Sequence, residues 1–299
     1  MIPAAPLVET SGLRKEYGSH VALEGVDLAV PAGSVYGLVG PNGAGKTTLL
    51  AILAGLRRPT SGEMRVGVER RRVAVLPDTP QFDPWLTAHE VVDLARTLVA
   101  PELPVGRVDA ALHEAGLDEA AGRRVGGFSR GMLQRLGLAA TVVGEPELLL
   151  LDEPCAALDP AGRRDVLDLV AHLGRTATVL FSSHILADVE RVCDTVGVLR
   201  AGSLLYQGAL ADLLTGRASP AYRVRVRDGI DRVEASLVAM PWVTSVERTD
   251  APGELRVGVR SIEEAERELS GALAGAGARI TSVEPEAADL EHVFLELTS

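Results

Sequence analysis

A glycine-rich loop carries the residues that are best suited to chemistry in this sequence. Residues 40–47 match the pattern G-x-x-x-x-G-K-S/T, and they include the only asparagine and one of the two lysines of an arginine-rich chain. Glycines let backbone N–H groups wrap around phosphates, the lysine reaches the terminal phosphates, and the hydroxyl ligates Mg²⁺. The pattern therefore predicts a nucleoside triphosphate site made by Gly40, Pro41, Asn42, Gly43, Ala44, Gly45, Lys46, Thr47 and Thr48.

Two apolar segments are expected to hold this loop in place. The run Val35–Val39 before it is typical of a buried strand, and residues 48–54 after it are typical of a helix that ends at Gly55. A strand followed by a loop and a helix places the positive end of the helix dipole at the phosphates. The alternative is an ordinary glycine-rich turn between a strand and a helix.

A pair of acidic residues follows a second apolar run. Leu148–Leu151 is predicted to be a central strand of a parallel sheet, and Asp152 and Glu153 come directly after it. Open α/β sheets bind ligands at the carboxyl ends of their strands. Asp152 can therefore hold Mg²⁺, and Glu153 can orient and deprotonate an attacking water. The alternative is a strand that ends in solvated acids.

Three further motifs complete a family pattern. They are Phe128-Ser-Arg-Gly-Met132, Ala157-Leu-Asp-Pro160 and the strand Thr178–Ser183 followed by His184. With the glycine-rich loop and the acidic pair, their order over residues 7–207 resembles the ATP-binding cassette (ABC) proteins. The resemblance implies an ATPase with an α/β P-loop NTPase fold, in which a RecA-like core carries an antiparallel β part and a helical subdomain.

The resemblance also implies roles for single residues. Tyr17 would stack on adenine, although an ordinary core or surface tyrosine is the alternative. Lys46 and His184 would contact the γ-phosphate, and Asp159 would lie in a loop that crosses to a second subunit. The signature residues would contact the ATP bound by the opposite subunit, so that two subunits sandwich two ATP molecules. The signature residues are Ser129, Arg130, Gly131 and Met132.

Two departures from the family pattern stand out. The signature reads FSRGM rather than the commoner LSGGQ, so Arg130 adds a charge beside the phosphate contact. The loop that usually carries a Mg²⁺-contacting glutamine has Asp78 at the aligned position, and Gln81 comes three residues later. A carboxylate can ligate Mg²⁺, so we expect Asp78 to take this role, with Gln81 as the alternative.

The chain is expected to form two domains. Residues 1–216 would be the nucleotide-binding domain, with a helical subdomain at about 87–143, and residues 217–299 a small α+β domain after a linker at 216–220. The second part predicts the order β-α-β-β-α-β, which is typical of ferredoxin-like folds. Its three arginines at 223, 225 and 227 share one strand face, and a solvated or dimer-facing edge is preferred there over an anion site. The last stretch, residues 290–298, resembles the terminal helix of daunorubicin-resistance exporter ATPases.

Composition limits the remaining function classes. The 299 residues are 46% hydrophobic and carry a formal charge of −11, which argues against a disordered chain and against a general nucleic-acid binder. The longest apolar runs are far below the roughly 20 residues of a membrane helix. Two cysteines form no disulfide framework, so a soluble, intracellular protein is expected.

The sequence thus predicts the ATPase subunit of an ABC exporter, with ATP and Mg²⁺ as cofactors. Its partners would be a second copy of itself and a separate transmembrane permease, and it would bind no nucleic acid. The permease would hold it at the cytoplasmic face of the cell membrane. Two alternatives are a soluble cassette protein acting on ribosomes or DNA and a nucleotide-dependent regulatory module. Those soluble proteins usually carry two cassettes, zinc-binding cysteines or long coiled coils, which this sequence lacks.

Overall fold

The computed structural model describes residues 6–156, 158–217 and 220–286, together with Leu290, Phe294 and Leu297. The chain divides into two compact units, Met1–Ala211 and Asp212–Leu297. The predicted linker at 216–220 begins inside a helix that continues to Arg217. The terminal helix predicted at residues 290–298 lies, apart from three single positions, outside the described residues.

A six-stranded sheet forms the centre of the first unit. Its strands are β4 (Val35–Val39), β6 (Val73–Leu76), β7 (Leu148–Leu151), β8 (Thr178–Ser183), β9 (Thr195–Arg200) and β10 (Ser203–Ala209). Their order is β10-β9-β4-β8-β7-β6, and all neighbours are parallel except β10 and β9. Every residue of β4, β7 and β8 is buried, which explains their almost continuous apolar sequences.

An antiparallel sheet covers one side of this core. Its four strands are β1 (Pro6–Tyr17), β2 (His20–Val26), β3 (Ala29–Pro31) and β5 (Ser61–Val66). The long strand β1 pairs with the other three. Their buried side chains share one apolar cluster with Leu38, Leu150 and Leu180 of the central sheet and with helix α1 (Lys46–Leu53). The predicted strand at Val35–Val39 and the helix that follows the loop are therefore confirmed.

The segment predicted to be helical contains three α-helices, α2 (Ala88–Val99), α3 (Gly106–Glu114) and α4 (Arg130–Val142). Thr87 and Glu90 form a capping box at the start of α2: the Glu90 N–H donates to Thr87 Oγ1 at 3.2 Å, and the Thr87 N–H donates to Glu90 Oε2 at 2.8 Å. Two more helices of this unit are α5 (Pro160–Leu173) and α6 (Leu186–Val192), and α7 (Leu210–Arg217) begins at its end and continues into the second unit.

The second unit has the element order predicted from the sequence. Its elements are β11 (Ala221–Asp228), α8 (Ile230–Val238), β12 (Val243–Arg248), β13 (Glu254–Val259), α9 (Ile262–Gly275) and β14 (Arg279–Glu286). The sheet order is β12-β13-β11-β14, with antiparallel neighbours. Along β11, Tyr222, Val224 and Val226 enter the core with residues of both helices, while the arginines at 223, 225 and 227 are exposed on the other face.

The sheet order decides which residues can meet in the first unit. Strands β4, β8, β7 and β6 are consecutive and parallel, so their carboxyl ends lie at the same edge. The segments that follow them carry the glycine-rich loop, His184, the acidic pair and Asp78. Among the described residues, no helix is long and apolar enough to cross a membrane.

Candidate active site

The glycine-rich loop joins β4 to α1 in a conformation that requires glycine at two positions. Gly45 caps the helix with φ +107°, and a Cβ atom there would lie 2.5 Å from the Ala22 carbonyl oxygen. A Cβ atom on Gly40 would lie 2.2 Å from the Leu199 carbonyl oxygen. Both distances are far below van der Waals contact, so only glycine fits. The loop leaves Pro41, Asn42, Gly43 and Thr47 exposed at the start of the helix, where backbone N–H groups favour anions.

Lys46 is the first residue of α1 and its side chain is only 6% exposed. Its Nζ donates to the Gly40 carbonyl oxygen at 2.7 Å and to that of Pro41 at 3.4 Å. The same Nζ lies 3.3 Å from Oε1 of Glu153. The ammonium is therefore held inside the loop, and Glu153, which follows β7 at the same sheet edge, reaches it.

The acidic pair is fixed by strand β8. Asp152 is buried, and its Oδ1 accepts a 2.6 Å hydrogen bond from the Ser182 hydroxyl. The Ser182 Oγ also accepts a hydrogen bond from the Glu153 N–H at 2.9 Å. Glu153 has φ +48°, a left-handed conformation that costs a residue with a side chain about 1–2 kcal/mol. This turn directs the Glu153 carboxylate away from the strand and towards Lys46.

His184 follows β8 and forms, with Lys46 and Glu153, a row of three charged or polar side chains. Its Nδ1 lies 2.8 Å from Oε2 of Glu153, so the carboxylate contacts Lys46 through one oxygen and His184 through the other. The turn after His184 is held by the Ser183 hydroxyl oxygen, which accepts from the Ile185 N–H at 2.9 Å. This arrangement can hold a phosphate at the lysine and a water beside the carboxylate.

The signature residues lie apart from this row. Ser129 caps α4, because its hydroxyl oxygen accepts a hydrogen bond from the Met132 N–H at 3.3 Å. Ser129, Arg130, Gly131 and Met132 line a cavity of about 830 Å³ together with Asp159. No residue of the glycine-rich loop lines it. Within one chain, the glycine-rich loop, the acidic pair and His184 thus form one group, and the signature residues with Asp159 form another.

Tyr17 ends strand β1 and is exposed. Lys15 Nζ lies 4.9 Å from the centre of its ring, and the Arg57 guanidinium carbon lies 5.5 Å from it. Cations at these distances are attracted to the face of an aromatic ring. Tyr17 is therefore a surface aromatic and not a core residue.

Asp78 and Gln81 occupy different surroundings after β6. Asp78 is exposed, and within the described part of the chain it has no hydrogen bond or ion pair. Its strand ends beside the acidic pair, because the Asp152 N–H donates to the Leu76 carbonyl oxygen at 2.8 Å. Gln81 instead lines a cavity of about 370 Å³ between β6 and α4, among Val73, Pro80 and other largely apolar residues.

Two residues of this region were not predicted from the sequence. Ser182 holds both acidic residues, and Gln134 is buried with its Nε2 3.5 Å from the Glu153 carbonyl oxygen. For Ser182 the available signal was a polar residue in an otherwise apolar strand. For Gln134 it was a polar residue at a core-facing position of the helix that starts at the signature.

Known proteins share this architecture and its sequence. A family profile described as ABC transporter matches residues 23–156. YxlF of Bacillus subtilis strain 168, an uncharacterized ABC transporter ATP-binding protein, is 35% identical over 97% of this chain and 99% of its own length. The daunorubicin/doxorubicin resistance ATP-binding protein DrrA of Streptomyces peucetius is 34% identical over 97% of this chain and 92% of its own length.

Solved structures with a similar fold are also ATP-binding cassettes of ABC transporters. A structure of the ATP-binding subunit of an ABC transporter matches with a TM-score of 0.64 and 30% identity, over 70% of this chain and 92% of that one. The dimeric structure of MJ0796, a bacterial ABC transporter cassette, matches with a TM-score of 0.63 and 25% identity, over 68% and 98%. The chain belongs to the ATP-binding proteins of ABC transporters. It has the P-loop NTPase fold, binds ATP and is an ATPase subunit of a transporter.

Proposed function

We propose that this chain is the ATP-hydrolysing subunit of an exporter, in which two copies sandwich two ATP molecules and drive a separate membrane permease. The name of DrrA links a relative of nearly the same length to drug resistance, which supports export as the direction. The names of the relatives favour a transporter over the alternative of a protein acting on ribosomes or DNA. The permease would hold the subunit at the inner face of the membrane.

The contact of Glu153 with both Lys46 and His184 carries the proposed chemistry. Lys46 binds the terminal phosphates, and Glu153 accepts a proton from the attacking water as general base. His184 contacts the γ-phosphate and keeps the Glu153 carboxylate in position through their 2.8 Å contact. Tyr17 offers an exposed ring on which adenine can stack.

The donor atoms near the loop fit Mg²⁺. The Thr47 hydroxyl is exposed, and Asp152 presents a carboxylate at the neighbouring strand end. Such hard oxygen donors, together with phosphates, are the ligands that Mg²⁺ prefers. Asp78, with no other partner among the described residues, is the further carboxylate we assign to this site. When bound, the ion neutralises charge on the phosphates.

The separation of the signature from the loop supports the two-copy arrangement. The signature cavity of about 830 Å³ is open to a ligand, yet its lining includes none of the phosphate-binding residues of the same chain. A second copy can bring its own ATP to Ser129 and Gly131, and the α4 N-terminus favours the negative charge of a γ-phosphate. Asp159 lies in the same cavity, at the interface that would form.

Exposed apolar side chains in and just before the helical segment support the membrane partner. Trp85, Leu94, Leu98 and Val105 are each more than half exposed, with Trp85 at 73% and Leu98 at 74%. Leu94 and Leu98 are four residues apart in α2 and therefore share one face of that helix. Exposed apolar patches mark sites of interaction, and we assign these residues to contact with a cytoplasmic segment of the permease.

The catalytic part of the proposal is tested with Glu153→Gln. The amide cannot accept the proton, so hydrolysis should fall at least roughly hundredfold, while ATP binding remains. Size-exclusion chromatography with ATP should give a dimer. The same variant carrying Lys46→Ala as well should stay monomeric. A monomer at saturating ATP would contradict the sandwich, and an unchanged rate would remove Glu153 from the role of base.

The partner is tested by capture of tagged Glu153→Gln protein with ATP from its native membranes. A polytopic membrane protein should co-purify. A matched protein that also carries Trp85→Ser and Leu98→Ser should lose that partner but keep its ATP-dependent dimer. Recovery of ribosomes or DNA-repair proteins in place of a membrane protein would favour the soluble alternative.

A further inference from the structure

An ion pair lies behind the candidate active site; its carboxylate is buried, and the side chain of its arginine is 29% exposed. Asp188, in the first turn of α6, is 3% exposed, and its Oδ1 accepts a 2.6 Å hydrogen bond from Nε of Arg163 on α5. The other carboxylate oxygen, Oδ2, is buried and has no hydrogen-bond partner among the described residues. Arg163 is therefore the partner on which this buried carboxylate depends.

The Arg163 end of the pair is tied to the loop of Asp159. The Asp159 carboxylate caps α5 by accepting from the Gly162 N–H at 2.9 Å. The Arg163 N–H donates to the Asp159 carbonyl oxygen, also at 2.9 Å. A displacement of Asp159 consequently moves Arg163, one helical turn away.

The Asp188 end is tied to His184. The Asp188 N–H donates to the Ile185 carbonyl oxygen at 3.2 Å, and the Ser183 hydroxyl bonds both the N–H and the carbonyl oxygen of Ile185. A cavity of about 10 Å³ is bounded by Asp188, Ser183, His184 and Glu153 among others. Asp188 thus lies directly behind the two residues that contact each other in the active site.

We propose that Arg163 and Asp188 are a positioning pair that transmits the contact made at Asp159 to His184 and, through it, to Glu153. The inference rests on the proposed function, because Asp159 needs a second copy to contact. Separation of the pair would leave the buried Asp188 carboxylate without a partner, which is costly in the interior. Docking of a second copy at Asp159 therefore sets the position of His184 only while this pair is intact.

The same two helices provide a matched control. Asp168 on α5 and Arg191 on α6 form an ion pair with an Nη2–Oδ1 distance of 2.9 Å, but their side chains are 67% and 42% exposed. Exposed pairs contribute little to stability and are screened by solvent. A double variant, Asp168→Asn with Arg191→Met, should therefore behave like the wild type in turnover and in cooperativity.

The experiment compares Asp188→Asn, Arg163→Lys and the double variant Arg163→Met with Asp188→Leu in the full chain. Each is measured for ATP affinity, kcat, KM, the Hill coefficient for ATP and the thermal midpoint. Asp188→Asn should lower kcat by roughly tenfold and bring the Hill coefficient towards one, with ATP affinity within about twofold of the wild type. Arg163→Lys keeps the charge and should retain most of the turnover.

The apolar double variant separates positioning from stability. Replacing a buried ion pair by apolar residues of similar volume is often neutral for stability, so the thermal midpoint should recover while kcat and the Hill coefficient stay low. Recovery of all three would make the pair merely structural and overturn the inference. If the wild type itself forms no ATP-dependent dimer, the proposed function fails; if it does and Asp188→Asn stays cooperative, only this inference fails.

Discussion

The Lys46 ammonium and the Glu153 carboxylate, which belong to different motifs, lie 3.3 Å apart at the edge of the central sheet. The lysine is buried and also donates to the Gly40 carbonyl oxygen. Phosphate oxygens that enter the loop can take the place of Glu153 as the anionic partner of Lys46. The carboxylate is then free to act on a water. Phosphate binding at Lys46 would therefore also free the general base.

Lys46→Ala should lose measurable ATP binding, because the loop then lacks the charge that offsets the terminal phosphates. Lys46→Arg should also weaken binding by at least roughly tenfold, since the planar guanidinium does not fit where a compact ammonium is enclosed by the loop. Binding of a fluorescent ATP analogue measures both. Retained micromolar affinity in Lys46→Ala would contradict the assignment of the phosphate loop.

Asp78 and Gln81 give a matched pair for the Mg²⁺ assignment. Asp78→Ala should raise the Mg²⁺ concentration needed for half-maximal turnover while sparing nucleotide binding, because it removes a carboxylate at the strand end. Gln81→Ala should leave the Mg²⁺ dependence unchanged, since Gln81 lines the largely apolar cavity beside β6. Mg²⁺ titrations of the ATPase rate decide between them. A changed Mg²⁺ dependence in Gln81→Ala with an unchanged one in Asp78→Ala would assign the Mg²⁺ contact to Gln81.

The residues of the candidate site could be predicted where a motif is contiguous in the chain. The loop around Lys46, the acidic pair and the caps at Thr87 and Ser129 depend on neighbours a few residues away, so their spacing is visible in the sequence. Ser182 and the Arg163–Asp188 pair depend on distant parts of the chain. Their contacts follow from strand β8 lying between β4 and β7 and from helices α5 and α6 being adjacent, which periodicity does not specify.

The same distinction applies to the fold: features that depend on neighbouring residues could be predicted better than those that depend on distant contacts. Buried strands such as Leu148–Leu151 are evident from their apolar runs, and the element order of the second unit follows from alternation and turn residues. The predicted linker was less accurate. Gly216 lies in the last turn of α7, and a glycine near the end of a helix is tolerated.

Tyr17→Ala should raise the KM for ATP, because stacking of a base on an aromatic ring contributes about 1–3 kcal/mol, or roughly five- to 150-fold in affinity. Tyr17→Phe should restore most of the affinity, since the ring and not the hydroxyl makes the contact. Steady-state kinetics measure both variants. An unchanged KM in Tyr17→Ala would leave Tyr17 as a surface residue without a role at the nucleotide.

Glu254 should make the stability of the second unit dependent on pH. Its side chain, 4% exposed, accepts hydrogen bonds from Arg225 Nε and, at 2.9 Å, from the Thr249 hydroxyl. The bond from Arg225, followed by that from Thr249 and by the charges of Arg225 and Arg223, lowers the pKa of this carboxyl despite its burial. The folded state therefore binds a proton less readily than the unfolded chain.

The sign of the effect follows from that difference. The stabilisation is complete above the ordinary glutamate pKa of about 4.3 and is lost as the pH falls through the lower folded value. Glu254→Gln removes this contribution, so its unfolding midpoint should be lower than that of the wild type near neutral pH and should converge with it in acid. Glu268→Gln, at an exposed position of α9, is the control. Calorimetry of the full chain between about pH 7 and pH 3 measures the difference, and parallel curves for wild type and Glu254→Gln would show that the Arg225 contact does not stabilise the charged form.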